Sequence, residues 1–530
     1  MSEAAPPPQQ QQAFTGGHNP WVIALVVTLA TFMEVLDTAI ANVSLPHIAG
    51  SLSVSQDEST WVLTSYLVSN AVILPVSGWL ATRIGRKRFY MICVALFTIS
   101  SFLCGVAPNL GLLILFRVLQ GLGGGGLAPS EQAILADTFE PRKRGMAFAV
   151  YGMAVVLAPA IGPTLGGFIT DHYSWRWVFF INIPVGIVSL LLSARVVQDP
   201  PWMEGMKKRA GRIDYTGLGL IAVGLGALEY VLDRGQEDDW FNSHTIVLFA
   251  VISAVALIAF IAWELRAEHP VVDVRLFKNR NFAASNLMML VLGMSLYGST
   301  VLLPQYLQIW MGYTAQQSGM VLSPGGIAVI LLMPLVGRLV SRVDARFLIA
   351  FGFTILSIAL YHMSRTIYPG IDFSTAVWLR IFQAAGIAFL FVPINTVVYA
   401  GLPPEKNNAV SGIVNLARNM GGDIGIALVT TLIARRSQFH QNVLAAHTDP
   451  MNKAFTAQLQ GIAQALQHAG ISATEATRRA YGLVYGRLIQ QAQTLAYLDV
   501  LFVLAVFSAL MVPLVLFTRR ARPGAAPAAH

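Results

Sequence analysis

About fourteen long apolar stretches set the first limit on what this chain can become. A membrane-crossing helix needs about 20 apolar residues. Such stretches recur at roughly 21–45, 59–80, 89–107, 110–134, 145–170, 176–196, 215–233, 245–264, 282–304, 316–340, 346–363, 374–400, 407–434 and 495–518. Backbone polar groups in lipid must be satisfied within their own segment, so each stretch reads as an α-helix. The chain has 530 residues, of which only 12% are charged and 55% are hydrophobic, too little charge to cover a soluble protein of this size. An all-α membrane protein is expected.

The net charge of +8 is distributed by topology. Arg83, Arg86, Lys87 and Arg88 follow the second stretch, and Arg142, Lys143 and Arg144 follow the fourth. Lys207, Lys208, Arg209 and Arg212 follow the sixth, while Arg266, Arg275, Lys278 and Arg280 follow the eighth. Arg519, Arg520 and Arg522 follow the last, whereas the loop 46–59 holds no Lys or Arg. This positive-inside pattern places both termini in the cytoplasm and argues against a nucleic-acid partner. The Pro- and Gln-rich opening residues read as a disordered tail over 1–20, with no cleavable signal peptide, and 519–530 reads as a second tail. Cys93 and Cys104 lie in one expected helix and cannot bridge each other.

The chain repeats itself. Pro75, Gly78, Leu80 and Arg83 are matched at one offset by Pro334, Gly337, Leu339 and Arg342. Arg117, Gln120 and Gly123 are matched by Arg380, Gln383 and Gly386, and the same offset carries Gly162 onto Gly425. Spans one to six therefore correspond to spans nine to fourteen. The expected organisation is a six-helix bundle over 21–196, a linker with two inserted helices over 197–281, and a second six-helix bundle over 282–518. Two parallel repeats suggest a secondary transporter with its site near the midplane between them. Within the second bundle, Phe455, Leu459, Ile462 and Leu466 recur at helical spacing, Gly470 follows, and Ser472 with Glu475 fits a capping box. An outward helical hairpin is expected over 437–493, either capping the outer mouth or docking a partner.

Asp37 and Glu34 sit inside the first apolar stretch. A carboxylate near the bilayer centre costs about 3 kcal/mol or more, so such residues serve by default as functional candidates. Asp37 lies about 12 Å and Arg117 about 10 Å below the outer surface at 1.5 Å per residue, so the two can meet. A static ion pair is the alternative to proton or ligand handling. Glu34 and Asp37 share a helix face at i and i+3, and repulsion between two ionised carboxylates favours one taking up a proton. Aligned through Pro46 and Pro304, the second half has Ser295 where Asp37 stands. It carries Arg380, Arg418 and Asp423 instead, with Asp423 read either as a titrating or cation-binding group or as a partner of Arg380 or Arg418. Glu229 reads as peripheral and Glu131 as facing water near the cytoplasmic end. The fifth stretch, with Pro159, Gly162, Pro163, Gly166 and Gly167, suits a pivoting contact between helices. Gly121–Gly126 lacks the Lys-Ser/Thr ending of a phosphate loop. No catalytic constellation or metal cluster is apparent, so an enzyme is not expected and the energy source would be a proton gradient rather than a cofactor.

These motifs resemble the major facilitator superfamily, and within it the fourteen-span drug:proton antiporters of the EmrB type. The likeness rests on Leu36–Pro46, on Gly78–Lys87 in the loop after span two, and on Arg117–Gly121 in span four. It extends through Ala160–Gly167 in span five, Trp175–Pro184 in span six, Leu232–Gly235 and Leu402–Glu405. Arg418 also falls in an EmrB-like stretch. The resemblance implies the major facilitator fold with two inserted helices. It assigns conformational roles to Gly78, Arg83, Gly85, Arg86, Pro159, Gly162, Pro163, Gly166 and Gly167, and it implies proton coupling through the span-four motif. Thr82 stands where the family's loop motif usually has an acid, and Glu34 and Asp423 are additions to the pattern. The resemblance further implies a bacterial inner-membrane protein working with a periplasmic membrane-fusion adaptor and a TolC-type outer-membrane channel, the hairpin being the candidate adaptor contact.

The expected function is proton-driven export of hydrophobic drugs by alternating access. Asp37, Glu34 and Arg117 would carry the coupling. Substrate would bind near Glu34, Asp37, Asn42, Gln120, Gln305, Arg380, Gln383, Arg418 and Asp423. The rivals are a uniporter or proton symporter of a small metabolite, and a membrane receptor without transport.

Overall fold

Apolar length and short polar caps together cut this chain into helices. In the computed structural model, which describes residues 14–209, 214–449 and 451–518, every long regular element is helical. The tails at 1–13 and 519–530 and Arg212, all read above from the sequence, lie outside the described residues.

The first bundle comprises α1 (Pro20–Leu52), α2 (Gln56–Ile84), α3 (Arg86–Val106), α4 (Leu110–Gly124), α5 (Leu127–Thr138), α6 (Pro141–His172), α7 (Trp177–Phe180) and α8 (Asn182–Val196). The fourth span breaks between α4 and α5 at Gly125–Gly126, and the sixth breaks between α7 and α8. The insert contributes α9 (Trp202–Arg209), α10 (Tyr215–Arg234) and α11 (His244–Glu264). The second bundle holds α12 (Arg280–Met311), α13 (Ala315–Leu339), α14 (Ala345–Thr366), α15 (Phe373–Val398), α16 (Asn407–Ala445), α17 (Lys453–His468) and α18 (Ala473–Leu514).

Local chemistry sets the ends. Asn19 caps α1 by accepting from the Trp21 amide, and Ser55 with Glu58 forms a reciprocal capping box on α2. Between α2 and α3 the backbone turns at Gly85 with φ 104°, a region that a side chain would strain. Asp372 caps α15 outside the membrane, where the Ser374 and Thr375 donors hold its carboxyl down to about 2.

Thirteen helical segments among the described residues are long and apolar enough to span. The segment at 407–434 is not among them. It forms part of α16, a continuous 39-residue helix whose charged and amide residues lower its apolarity. At 1.5 Å per residue α16 is about 60 Å long, roughly twice a bilayer core, and the 42-residue α18 is of similar length. The two hairpin helices are α17 and the start of α18, packed together through Leu459, Ala463 and Ala480, and the end of α16 leads into them. The capping box expected at Ser472 is absent, because the Glu475 carboxylate accepts from Arg478 and Arg479 on its own helix instead.

Helices of the repeat pack in matching ways. α2 and α3 lie on α4 as α13 and α14 lie on α15, and α3 lies on α8 as α14 lies on α18. Between the bundles, α6 packs along α13 and α2 along α16. Gly145 faces Gly337 with its hypothetical Cβ 2.9 Å from the Gly337 carbonyl oxygen, and a Cβ at Gly78 would stand 2.6 Å from that of Asn408. These are backbone contacts with no room for a side chain. The close approach between bundles runs through Gly78 and Gly145, while Gly162 and Gly166 seat α6 on Ala39 and Ile40 of α1 within the first bundle, and Gly167 has open space around its Cα. Pro159 and Pro163 lie inside α6, which continues through them.

Candidate functional site

α1, α4 and α8 converge on Asp37, which is completely buried. The Arg117 guanidinium donates from Nη1 to Asp37 Oδ2 at 2.7 Å. Gln120, one turn along α4, donates to Oδ1 at 3.2 Å and accepts from Arg117 Nη1 at 2.8 Å. Asn182, at the first turn of α8, donates to Oδ1 at 2.6 Å. The Arg-x-x-Gln spacing puts both α4 side chains on one helix face, and the helix break before Asn182 brings its amide to the same carboxylate. Arg117 Nε is held by the Val62 carbonyl at 2.9 Å, and its Nη2 is buried without a partner. Removing one member of a buried charged pair strands the other, typically at about 3–5 kcal/mol, so this cluster is sensitive to the charge on Asp37.

Glu34 is also buried but faces α2. It accepts from the Tyr66 hydroxyl at 2.8 Å and the Asn70 amide at 3.2 Å. Tyr66 links the two acids: its hydroxyl binds Glu34, while its ring lies 4.3 Å beneath the Arg117 guanidinium. Across the interface Arg418, on α16, acts electrostatically on Glu34. Arg418 donates to the Tyr151 hydroxyl at 2.8 Å, and Asn415, one turn back, accepts from Tyr151 at 3.2 Å and donates to Gln132 Oε1 at 3.0 Å. A continuous polar seam thus joins α5 and α6 to α16 between the bundles.

Arg380 and Gln383 repeat the Arg-x-x-Gln contact at 2.7 Å, with a second bond from Arg380 to Thr300 at 3.3 Å. Among the described residues no carboxylate reaches ion-pair distance of Arg380, whose Nε is buried without a partner. Ser295 does not face Arg380; it meets Ser508 of α18 at 3.2 Å. Asn42 is exposed and stands apart from the Asp37 cluster, and Gln305 is half-buried with an unpartnered carbonyl.

Three expectations need correction. Asp423 pairs with neither Arg380 nor Arg418; its carboxyl lies beside Glu229 of α10, which packs on α16. Glu229 is therefore not peripheral, being only 2% exposed. Glu131 does not face water: it is fully buried on α5, and Thr28 of α1 donates to it at 2.6 Å.

The loop motif closes the other end of the interface. Arg86, 2% exposed, forms an ion pair with Asp137 and donates to Asn408 of α16 at 2.8 Å. Asn407 donates to the same Asp137 at 2.6 Å. Thr82 accepts from Asn408 at 3.4 Å, so a hydroxyl occupies the place of the acid. Arg83 lies over the Trp79 ring at 5.6 Å.

Sequence reasoning missed Asn182, Tyr66, Asn70, Tyr151, Gln132 and Asn415. Each is a polar residue within an apolar stretch, which is a detectable signal, but neutral side chains carry too small a burial cost to stand out beside the acids.

A family model described as Major Facilitator Superfamily matches residues 27–426. The multidrug export protein EmrB of Escherichia coli (strain K12) is 39% identical over 463 residues, covering 87% of this chain and 90% of the relative. The fatty acid resistance protein FarB of Neisseria gonorrhoeae is 36% identical over 504 residues, covering 94% of this chain and 96% of the relative. Among solved structures, the proton:xylose symporter XylE superposes with a TM-score of 0.56 at 14% identity, over 93% of this chain and 96% of that one, a likeness of fold.

Proposed function

The chain belongs to the Major Facilitator Superfamily and, within it, to the EmrB-type multidrug export proteins, and from that premise we propose that it is a proton-driven antiporter that expels hydrophobic toxic compounds by alternating access. It is a multi-pass membrane protein and a drug exporter. The observation that carries the coupling is the buried Asp37 carboxylate, held by Arg117, Gln120 and Asn182.

Asp37 carries the proton. When it is ionised, the Arg117 pair is complete and α1 is fastened to α4. A proton on Asp37 cancels the pair's attraction and leaves Arg117 buried without its anion, which favours a different arrangement of the first bundle. Glu34 assists, because its state is felt through Tyr66 by Arg117 and directly by Arg418 across the seam. Drug and proton therefore compete for one chain of contacts, which is what antiport requires.

Substrate binds between the bundles along Glu34, Arg418 and the Gln132–Asn415–Tyr151 seam. The contacts of Arg86 with Asp137 and Asn408 lock the basic end when the opposite end opens. In the cell the protein would sit in the inner membrane as part of a tripartite pump, its α16–α18 hairpin meeting a membrane-fusion adaptor that leads to a TolC-type channel.

The test is Asp37→Asn in proteoliposomes under an imposed pH gradient. The variant should fold and bind drug but lose pH-driven drug exchange by about 100-fold or more, consistent with losing roughly 3 kcal/mol of coupling. Undiminished coupled exchange would sink the assignment.

A further inference from the structure

A second set of intramembrane acids lies outside the Asp37 cluster. Glu229 and Asp233 stand at i and i+4 on α10, the first inserted helix, and so share one face. Asp233 accepts the hydroxyl of Thr64 from α2 in the first bundle. Glu229 lies beside Asp423 of α16 in the second bundle, where α10 packs on α16. The inserted helix therefore holds one bundle with each carboxyl.

Among the described residues the Glu229–Asp423 contact has no positive partner at ion-pair distance. Glu229 is 2% exposed, and its Oε2 is buried with no donor. The charged group bearing on both members is Asp233, itself an acid. Neighbouring elements do not supply a cation. On α10, Arg234 is engaged with Glu237 at 2.8 Å and with the Thr60 hydroxyl of α2 at 3.0 Å. The ionisable groups of α11, His244 and Glu264, are at its two ends. Tyr297 of α12 packs on Gly422, next to Asp423, and Arg418 of α16 is taken by Tyr151. Asp499 of α18 is already shared by Arg436 and His440, and Glu131 of α5 is bonded by Thr28. Among the described residues no group of His, Cys, Asp or Glu is arranged to hold a metal ion.

Two ionised carboxylates cannot remain in contact in a low-dielectric interior without a cation. One proton between them replaces repulsion with a charge-assisted O–H to O⁻ hydrogen bond. We propose that Glu229 and Asp423 form a second proton-binding site, in which one shared proton fastens the inserted helix to the second bundle. Releasing it breaks one carboxyl O–H bond and gives the proton to water. The two carboxylates left behind repel, freeing α10 from α16. Rebinding reverses both events. The inserted pair of helices thereby becomes a proton-dependent tether across the interface, distinct from the exchange proposed at Asp37.

Infrared difference spectroscopy of the full-length protein in lipid nanodiscs, compared in H2O and D2O, reads protonated carboxyls directly. At neutral pH the native protein should show a buried carboxylic-acid band. Glu229→Gln and Asp423→Asn should each remove one carboxyl's share of it, and Asp37→Asn should leave that share in place. The double variant keeps a neutral amide-to-amide hydrogen bond at the contact. It should unfold at the native temperature yet lack that share, which separates proton loss from misfolding. A band that keeps its full intensity in both single variants overturns the proposal. So does a band abolished by adding Na⁺ or K⁺ to a salt-free sample, which would make the pair a cation site. The spectroscopy needs no transport, so its failure and the failure of coupled exchange through Asp37 are separate results.

Discussion

Arg117 and Arg380 occupy corresponding places in the two bundles, and each bonds a glutamine one turn along at nearly the same distance, 2.8 and 2.7 Å. Their other partners differ. Arg117 has a carboxylate at 2.7 Å, whereas Arg380 has only the Thr300 hydroxyl at 3.3 Å. The repeat has kept the helix-to-helix geometry and dropped the anion. Repeated backbone architecture therefore does not imply repeated chemistry: one half holds a neutral pair that a proton can disturb, and the other holds a buried cation with no carboxylate at ion-pair distance among the described residues.

The sharpest way to break this comparison is to remove each guanidinium in turn. Arg117→Met strands Asp37 as a buried carboxylate and should destabilise the protein by about 3–5 kcal/mol. Arg380→Met removes a buried cation that has no anion, and its apolar replacement should be neutral or stabilising on the same reasoning. Thermal unfolding of the two variants in detergent reads the difference. Equal losses would mean that the missing acid in the second half has no energetic meaning.

Asn182 sharpens the first half alone. Its amide reaches Asp37 at 2.6 Å and also donates to Ser101 at 3.0 Å, so it ties α8 to both α1 and α3. Asn182→Ala removes a hydrogen bond to a charged group, which should cost about 1.5–3 kcal/mol. If this amide takes part in coupling, the pH profile of drug exchange should change as well. A pH profile of exchange unchanged from the native one would show that Asn182 only packs.

The fold was legible because it is written in long signals: apolar length, loop charge and a repeat. Asp37 and Arg117 were legible because charge within lipid is rare and depth can be counted along a helix. Three features were not. The Glu229–Asp423 contact joins the insert to the second bundle, and no internal repeat reports how an insert docks. Glu131 reads as facing water from its depth along the span, and depth alone does not report that Thr28 of α1 covers it. The close approach at Gly145 was obscured because a glycine buried against its own bundle, such as Gly162, looks the same in sequence as one buried against the other. The relatives add the family and the activity, while these contacts come from the geometry of this chain.

The smallest expected effect tests whether the second half simply lacks an acid or is built differently. Ser295 stands where Asp37 does, yet its hydroxyl meets Ser508 of α18 at 3.2 Å, just as Asp37 meets Asn182 of the equivalent span. The contact between first and last spans of the bundle has survived as a neutral one. Ser508→Ala should therefore cost only about 0.5–1.5 kcal/mol, the worth of an uncharged hydrogen bond, and should leave the pH dependence of exchange unmoved. A loss as large as that of Asn182→Ala, or any shift in the pH profile, would show that the hydroxyl pair takes part in coupling. The second bundle would then share the first bundle's task, and the division of labour drawn from Arg117 and Arg380 would fall.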